Sequence, residues 1–253
     1  MRLKGKRGLV VGIANDHSIA TGCARVFAAE GARLAITYQN ARALPHVRLV
    51  AEALGSDLLL PLDVTCPDDM DAVFDRIAAE WGGLDFLLHS IAFCPKADLH
   101  GRVVDCSAEG FAQAMDISCH SFLRLVRRAE PLMAPGGSLI TVSYYGAEKV
   151  VDHYNIMGPV KAALEAVTRH VAVELGPRRI RANVISPGPI ATRAATGIAE
   201  FDGLITDACA RAPEGRIVNI DEVGQVAAFL ASDAASGLTG TLTHIDAGRH
   251  VRM

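Results

Sequence analysis

The chain has 253 residues, of which 50% are hydrophobic and 21% are charged, and its formal net charge is −3 at pH 7. This balance provides enough apolar surface for one large core, and it excludes an intrinsically disordered chain. Acidic and basic residues are well mixed, without the long single-sign runs that attract nucleic acid or an anionic membrane. We therefore expect a single globular domain over residues 1–253, with neither nucleic acid nor a membrane as a partner.

The location of the protein is predicted from its cysteines and its apolar runs. The six cysteines are scattered without C-x-x-C pairs, which is typical of reduced structural thiols. No apolar stretch approaches the roughly 20 residues that span a bilayer. The N-terminal apolar run reaches glycine quickly and has no small-residue cleavage site, so it predicts a first strand rather than a signal peptide. We expect a cytoplasmic protein.

Short apolar runs of β type alternate along the chain with longer segments of helical periodicity. Because this alternation requires crossover connections, it predicts an α/β fold with a single Rossmann-type domain, in which a seven-stranded parallel sheet has helices on both faces. The strands are expected at residues 8–13, 33–38, 58–62, 84–90, 137–143, 180–186 and 242–245. The helices are expected at residues 19–30, 42–54, 67–81, 107–133, 152–175 and 221–232.

Residues 187–213 interrupt this rhythm. The segment begins at the turn-forming Ser186-Pro187-Gly188-Pro189 and continues through alanine-rich, weakly polar sequence. Long connections in compact domains are often functional, and the ligand crevice of an open α/β sheet lies beyond the carboxyl ends of its strands. We therefore expect residues 187–213 to form a substrate-binding lid.

The first predicted strand runs directly into a glycine turn that has the features of a phosphate site. Gly12 and Ile13 form the turn, and Ser18 and Ile19 open the following helix. Glycine lets the backbone approach a pyrophosphate, Ser18 offers a hydroxyl, and the helix N-terminus supplies free N–H groups. The spacing is not G-x-G-x-x-G, so an ordinary tight turn is the alternative. Its place after the first strand of a βαβ series favours a dinucleotide cofactor.

The second predicted strand ends at Gln39, where a dinucleotide-binding fold usually meets the adenosine ribose. The neutral Gln39 neither repels a 2′-phosphate nor attracts one, which favours NADH, while Arg42 leaves NADPH open.

After the third predicted strand, Asp63 and Val64 are expected to contact the adenine edge. The alternative is a helix-capping loop, in which Thr65 or Asp68 caps the helix that begins near Pro67.

Tyr144, Tyr154 and Lys161 lie near the end of the fifth predicted strand and along the next predicted helix. Residues seven positions apart come within about 20° of two full helical turns, so Tyr154 and Lys161 are expected to share one helix face and reach one cleft. A phenol and an ammonium in the same cleft suit the stabilisation of developing negative charge. The alternative for each residue alone is a structural role. A single tyrosine on a helix is more often a half-buried amphipathic side chain, and a single lysine is more often a solvated surface charge.

This segment resembles the Y-x6-K signature of the enoyl-acyl-carrier-protein reductases, a divergent branch of the short-chain dehydrogenase/reductase family. The resemblance covers nearly the whole chain, and the motifs that carry it follow in the order typical of that branch: Gly12-Ile13-Ala14-Asn15, Thr37-Tyr38-Gln39-Asn40, His89-Ser90-Ile91-Ala92-Phe93, Tyr154-Asn155-Ile156-Met157-Gly158 and Gly188-Pro189-Ile190-Ala191-Thr192.

Most short-chain dehydrogenases carry a catalytic Y-x-x-x-K motif and a serine upstream of its tyrosine. Counting back from Lys161 finds Met157 and Tyr144 at those two positions, so both carbonyl-reducing residues are replaced. Tyr145 and Lys149 also form Y-x-x-x-K, but they directly follow a strand, and we expect no catalytic role for them.

The resemblance implies hydride transfer from NADH to the β-carbon of a trans-2-enoyl thioester in fatty acid synthesis, with an acyl carrier protein as partner. It implies that Tyr154 hydrogen-bonds the thioester oxygen, that Lys161 holds the nicotinamide ribose, and that Tyr144 supports the pocket. It further implies cofactor contacts at Ser90, Ile91, Ala92, Ile190 and Thr192, and substrate contacts at Cys94, Ile198 and Phe201, besides Tyr144 and Tyr154.

The chain departs from the family's usual sequence at Ala92, where glycine is common, and at His244-Ile245-Asp246-Ala247-Gly248, where paired glycines are usual. The resemblance also implies a homotetramer, and no residue is assigned to a metal. Two alternatives remain open: a paralogue that acts on another activated alkene or a ketone, and a non-catalytic dinucleotide-binding protein.

Overall fold

The computed structural model describes residues 1–56, 58–134, 136–192 and 201–252. Within these ranges seven parallel strands form one sheet in the order β3-β2-β1-β4-β5-β6-β7. The strands are β1 Arg7–Val11, β2 Arg33–Tyr38, β3 Leu58–Pro61, β4 Phe86–His89, β5 Gly137–Val142, β6 Ile180–Pro187 and β7 Leu242–Ile245. The predicted fold class and all seven predicted strands are confirmed, with ends that shift by up to two residues.

The helices connect and cover these strands. The α-helices are α1 Ile19–Ala29, α2 Leu44–Ala53, α3 Pro67–Trp81, α4 Lys96–Leu99, α5 Ala108–Met115, α6 Ser121–Ala129, α7 Met157–Leu175, α8 Phe201–Arg211 and α9 Ile220–Ala231. A π-helical turn spans Asp116–His120. Single 3-10 turns lie at Val103–Asp105, Glu130–Leu132, Tyr145–Ala147, Gly176–Arg178, Asp233–Ala235 and Arg249–Val251.

The sheet is buried on both faces, as a parallel sheet with helical crossovers requires. Successive residues of β1 enter opposite cores: Leu9 packs in the core that contains α3, α6 and α7, whereas Val10 packs in the core that contains α1, α2 and α9. The central strand β4 is buried at every residue. In the described ranges, no helix has both the length and the apolar character to cross a bilayer.

The helix predicted over residues 107–133 is interrupted. Ser107 begins it, and its hydroxyl accepts a hydrogen bond from the Gly110 N–H at 2.9 Å. The π turn at Asp116–His120 then separates α5 from α6, and α6 ends at Ala129. Such turns often mark functional sites, because the widened turn redirects side chains. Here it places the buried Ser118 against the backbone of Phe93, with which the hydroxyl exchanges two hydrogen bonds of 2.8 and 2.9 Å.

The helix predicted over residues 152–175 begins late, at Met157. Proline at position 159 explains the difference. Inside a longer helix it would lack one hydrogen bond and clash with the carbonyl of residue 155, whereas in the first turn it is tolerated. The prediction that Tyr154 and Lys161 share one helix face is therefore wrong, because Tyr154 lies in a turn before α7.

One helix was not predicted, and one alternative was wrong. The segment expected to form the substrate-binding lid contains α8, in which Phe201, Leu204 and Ala208 repeat at helical spacing. The alternative in which Thr65 or Asp68 caps α3 is wrong, because Cys66 occupies the N-cap position.

Candidate active site

A cavity of about 540 Å³ opens at the carboxyl ends of the central strands, beside the start of α1, the start of α7 and the first turn of α8. This is the position expected for the ligand crevice of an open α/β sheet. The predicted site residues that line it are Gly12, Ser18, Ile19, Ser90, Ile91, Ala92, Cys94, Tyr144, Tyr154, Lys161, Ile190, Thr192 and Phe201. Ile198 lies outside the described residues.

The glycine turn after β1 has the shape of a phosphate cradle. Gly12 has a φ of 113°, and a Cβ atom at this position would lie 2.1 Å from the backbone oxygen of Ser90. A side chain would therefore fill the space between the ends of β1 and β4. Because α1 begins at Ile19 without a side-chain cap on its first N–H groups, its N-terminus is available to an anion. These features fit a dinucleotide pyrophosphate.

The hydroxyl of Ser18 stabilises this turn. Its oxygen accepts hydrogen bonds from the N–H groups of Ala14 at 3.0 Å and Asn15 at 3.1 Å, and the residue is only 8% exposed. Ser18 also lines the cavity, and its hydrogen bond to a phosphate stays a prediction.

Four predicted cofactor residues lie outside the cavity lining. Ile13 is buried in the core beneath α1, and Gln39 is exposed after β2. The carboxylate of Asp63 accepts hydrogen bonds from the backbone N–H and hydroxyl of Thr65, at 2.9 and 2.7 Å. Val64 is buried, and its carbonyl accepts a hydrogen bond from Arg124. Cofactor contacts at these four positions stay predictions.

Tyr144 and Tyr154 meet edge to face in the cavity, with ring centroids 4.8 Å apart and an interplanar angle of 65°. Tyr144 follows the end of β5, and its hydroxyl is buried without a hydrogen-bond partner among the described residues. Burial raises the pKa of both phenols above the ordinary value, so both are protonated at neutral pH. The cavity therefore contains two protonated phenols that are able to donate.

The turn that carries Tyr154 is held by its neighbour. Asn155 has a left-handed φ of 48°, which asparagine tolerates better than most residues. Its side-chain amide donates to the carbonyls of Asp98 at 3.3 Å and Gly101 at 3.0 Å. The loop around α4 thus fixes the backbone on which Tyr154 stands.

Lys161 comes from the second turn of α7 and is 4% exposed. Its ammonium group donates to the carbonyl of Val142 at 2.7 Å and to that of Ile91 at 3.4 Å. Burial lowers the pKa of Lys161 to about 8, so the side chain is mostly charged at neutral pH. A cation is therefore fixed between the ends of β4 and β5, at one wall of the cavity.

Sequence reasoning missed a buried pair beside Lys161. The hydroxyl of Ser143 donates to Glu165 Oε1, and the two residues are 3% and 7% exposed. Burial raises the pKa of the Glu165 carboxyl. The signal that could have found Glu165 is its position four residues after Lys161 in the predicted helix, which places both on one helix face.

His89 is fully buried between β5 and α6. Its ring nitrogens lie 2.8 Å from the hydroxyl of Thr141 and 2.9 Å from that of Ser121. Ser121 gives its own proton to the carbonyl of Ile117, so His89 Nε2 must be the donor to Ser121 and Nδ1 the acceptor from Thr141. Burial, with a smaller effect of Lys161, lowers the pKa of His89 to about 3. This histidine is a neutral structural group.

One set of side chains in the described part of the chain has metal-ligand spacing. The ligand atoms of His244, Asp246 and His250 lie within 4.8 Å of one another. However, the imidazole rings of His244 and His250 are stacked, with their centroids 4.0 Å apart and an interplanar angle of 13°. An ion coordinated by a ring nitrogen lies near the plane of that ring, and one ion cannot lie in two parallel planes. The expected absence of a metal stays a prediction.

The comparisons with known proteins agree with this geometry. A sequence model of the family described as "Enoyl-(Acyl carrier protein) reductase" matches residues 12–250. The chain is 47% identical over 248 residues to "Enoyl-(acyl-carrier-protein) reductase (NADH) 1" of Rhizobium meliloti, which covers 98% of this chain and 91% of the relative.

Two solved structures of enoyl-(acyl carrier protein) reductases have nearly the same fold. The Anaplasma phagocytophilum protein in complex with NAD is 46% identical, with a TM-score of 0.96 over 99% of this chain and 96% of that chain. The Bacillus cereus protein with NADP+ and an indole naphthyridinone is 41% identical, with a TM-score of 0.97 over 100% of this chain and 99% of that chain. The chain therefore belongs to the enoyl-(acyl carrier protein) reductase family.

Proposed function

We propose that this protein is an enzyme that reduces the carbon–carbon double bond of trans-2-enoyl thioesters, carried by an acyl carrier protein, with NADH in fatty acid synthesis. The observation that carries this proposal is the arrangement around Lys161. Met157, one turn before it, lines the cavity where a carbonyl-reducing enzyme of this superfamily would have its tyrosine. Tyr154 reaches the same cavity from the preceding turn, so the phenol approaches the substrate from a different point of the backbone.

Tyr154 acts in this proposal as a hydrogen-bond donor. Addition of a hydride to the β-carbon moves negative charge onto the thioester oxygen, and a donor aimed at that oxygen stabilises the transition state more than the ground state. Because burial keeps the phenol of Tyr154 protonated, it can donate at neutral pH. Tyr144, in edge contact with it, lines the acyl side of the cavity.

Lys161 holds the cofactor rather than the substrate. When bound, the reduced nicotinamide supplies the hydride. The ammonium already donates to two strand-end carbonyls, and its position in the cavity wall suits a further hydrogen bond to ribose hydroxyls. Ser90, Ile91 and Ala92 line the cavity after β4, and Ile190 and Thr192 line it after β6.

The acyl chain is proposed to lie against Cys94, Tyr144 and α8. Phe201 and Leu204 of α8 line the cavity, which supports residues 187–213 as the substrate-binding lid. Burial raises the pKa of the Cys94 thiol to about 11, so the thiol is uncharged and suits an apolar chain.

The preference for NADH is proposed from Gln39, whose neutral side chain offers no charge for a 2′-phosphate. Relatives of the same family contain NAD in one solved structure and NADP+ in another. Titration of the purified protein with both reduced cofactors tests the preference. Tighter binding of NADPH would overturn it.

The reaction is tested by the decay of NADH absorbance with a trans-2-enoyl thioester, beside a ketone control. Oxidation with the enoyl substrate alone supports the proposal. Turnover with the ketone alone would indicate a carbonyl-reducing paralogue, and no turnover with either would favour a non-catalytic dinucleotide-binding protein.

Tyr154→Phe tests the role of the phenol. Removal of one donor to a developing oxyanion typically lowers kcat by about 10²- to 10³-fold, and we expect a loss of that size with NADH affinity unchanged. Tyr145→Phe is the matched control, because Tyr145 lies next to the cavity without lining it. Equal losses in both variants, or none in Tyr154→Phe, would remove Tyr154 from the mechanism.

The cytoplasmic location and the assembly into a homotetramer remain part of the proposal. The family resemblance supports both.

A further inference from the structure

Helix α7 holds the end of β5 at two consecutive residues. Lys161 donates to the carbonyl of Val142, and one turn later Glu165 accepts the hydroxyl hydrogen bond of Ser143. Both acceptor and donor of the second contact are buried, with Glu165 at 7% and Ser143 at 3% exposure. The second contact lies at Ser143, which lines the cavity together with the next residue.

That residue is Tyr144. Its backbone is extended, with φ −155° and ψ 149°, and its side chain lines the cavity. Its hydroxyl has no partner among the described residues. A buried phenol without a partner is costly unless a ligand supplies one. The contact at Ser143 therefore holds the backbone of Tyr144, whose hydroxyl is available to donate to a ligand in the cavity.

A buried carboxylate is an unusual choice for a purely structural contact, because burying a charge is costly. The charged groups that interact with Glu165 are Lys161 and Arg169 on α7 and Glu148 on the loop after β5. An apolar side chain would avoid this cost, but it would leave the Ser143 hydroxyl without its acceptor. The oxygen acceptor at position 165 therefore fixes the position of Ser143.

We propose that Glu165 is a positioning residue for the reduction, which acts through Ser143 to hold the Tyr144 hydroxyl against the enoyl thioester. This inference rests on the proposed function for its kinetic consequence. The connection from Glu165 through the Ser143 hydrogen bond to the backbone of Tyr144 is present in the protein without substrate.

The kinetic test uses Ser143→Ala and Glu165→Leu, each of which removes the hydrogen bond. We expect kcat/KM for the enoyl thioester to fall about ten-fold, the usual scale for one lost hydrogen bond, while NADH affinity stays within about two-fold. Glu165→Gln keeps an acceptor oxygen, so it is expected to retain most of the activity. If Glu165→Leu fails to fold, Ser143→Ala carries the test alone.

Ser138→Ala is the matched control. Ser138 lies on β5, is 1% exposed and donates one hydroxyl hydrogen bond to the carbonyl of Leu230, which the substitution removes. Ser138 is remote from Tyr144. Unchanged kcat/KM is expected. An equal loss in Ser138→Ala and Ser143→Ala, or a parallel loss of NADH affinity, would overturn the proposal.

A double-mutant cycle tests whether the effect passes through Tyr144. In a Tyr144→Phe background, Ser143→Ala is expected to lower kcat/KM by less than about two-fold, because the hydroxyl it positions is gone. The same ten-fold loss in both backgrounds would show that Ser143 acts elsewhere.

A measurement without substrate keeps the inference separate from the proposed function. The chain has four tyrosines, so fluorotyrosine labelling gives few fluorine NMR signals, which Tyr→Phe variants assign. Ser143→Ala is expected to shift and broaden the Tyr144 signal, whereas Ser138→Ala is expected to leave it unchanged. An unshifted Tyr144 signal in Ser143→Ala would overturn the inference even if the enzyme proves to act on another substrate.

Discussion

Gly12 shows how a single backbone position shapes the proposed cofactor site. Its φ of 113° lies in a region that other residues rarely adopt, and its Cα faces the carbonyl of Ser90. The glycine was found in the sequence by its position after the first strand. Glycine is necessary because a Cβ at this position would lie too close to the backbone oxygen of Ser90, directly after β4. This distance depends on how β1 and β4 pair.

We predict that Gly12→Ala lowers the affinity for NADH at least about ten-fold and destabilises the fold by about 1–3 kcal/mol, the usual cost of such backbone strain. Fluorescence titration and urea unfolding measure the two effects. Gly176→Ala is the control, since a Cβ at Gly176 meets nothing within 4 Å. Wild-type NADH affinity in Gly12→Ala would contradict the assignment of this turn.

Tyr154 and Lys161 were expected to reach one cleft, and both line the cavity, but Tyr154 does so from a turn before α7 rather than from the helix. The prediction applied helical periodicity across Pro159, although a proline at that position disfavours a helix that begins well before it. The sequence therefore contained the signal for the true start of α7. The left-handed backbone of Asn155, which sets the direction of Tyr154, had no comparable signal.

The contact between β4, β5 and α6 contains a buried imidazole. His89 joins the three elements through Thr141 and Ser121, and burial favours the uncharged form of its ring. Its pKa of about 3 in the folded protein lies well below the unfolded value near 6.5.

This difference predicts a pH dependence of stability. Between these two pKa values the unfolded chain binds more protons, so the free energy of unfolding falls as pH decreases below about 6.5. From pH 7 to pH 5 we expect His89 to contribute a loss of about 2 kcal/mol. Urea unfolding at both pH values measures it. The loss should shrink in His89→Gln but persist in the exposed control His17→Gln, and an equal loss in all three proteins would contradict the assignment.

The π turn between α5 and α6 also acts at the level of an element. Ser118 satisfies both backbone groups of Phe93, so the turn supports the strand-end loop that lines the cavity. The sequence predicted a continuous helix here. A π turn adds one residue to a helical turn, and this changes the spacing of the apolar residues too little to be recognised in the sequence.

The arrangement of the whole sheet brings the ends of β1, β4, β5 and β6 to one edge, where the residues proposed to bind cofactor and substrate line one cavity. β3 and β7 form the two outer edges. An outer strand presents unpaired N–H and C=O groups, which assembly can cover. The resemblance to the family implies a homotetramer, and light scattering of the purified chain tests it. We expect four times the 26.8 kDa chain mass, and a monomer would contradict this expectation.

The order of elements was readable from the sequence, because burial on both faces leaves continuous apolar runs in strands and the crossovers leave helical periodicity between them. The family motifs were readable for a related reason. Gly12, Tyr154 and Lys161 belong to short local patterns whose residue types suit the chemistry proposed for them.

Contacts between distant residues were decided only by the tertiary structure. Ser143 and Glu165 are 22 positions apart, and Ser118 and Phe93 are 25 apart. Neither pair leaves a periodic pattern, since each partner is an ordinary polar residue in its own segment. Only the packing of α7 and the π turn against the strand ends makes them partners, and this packing gives the cavity its supporting hydrogen bonds.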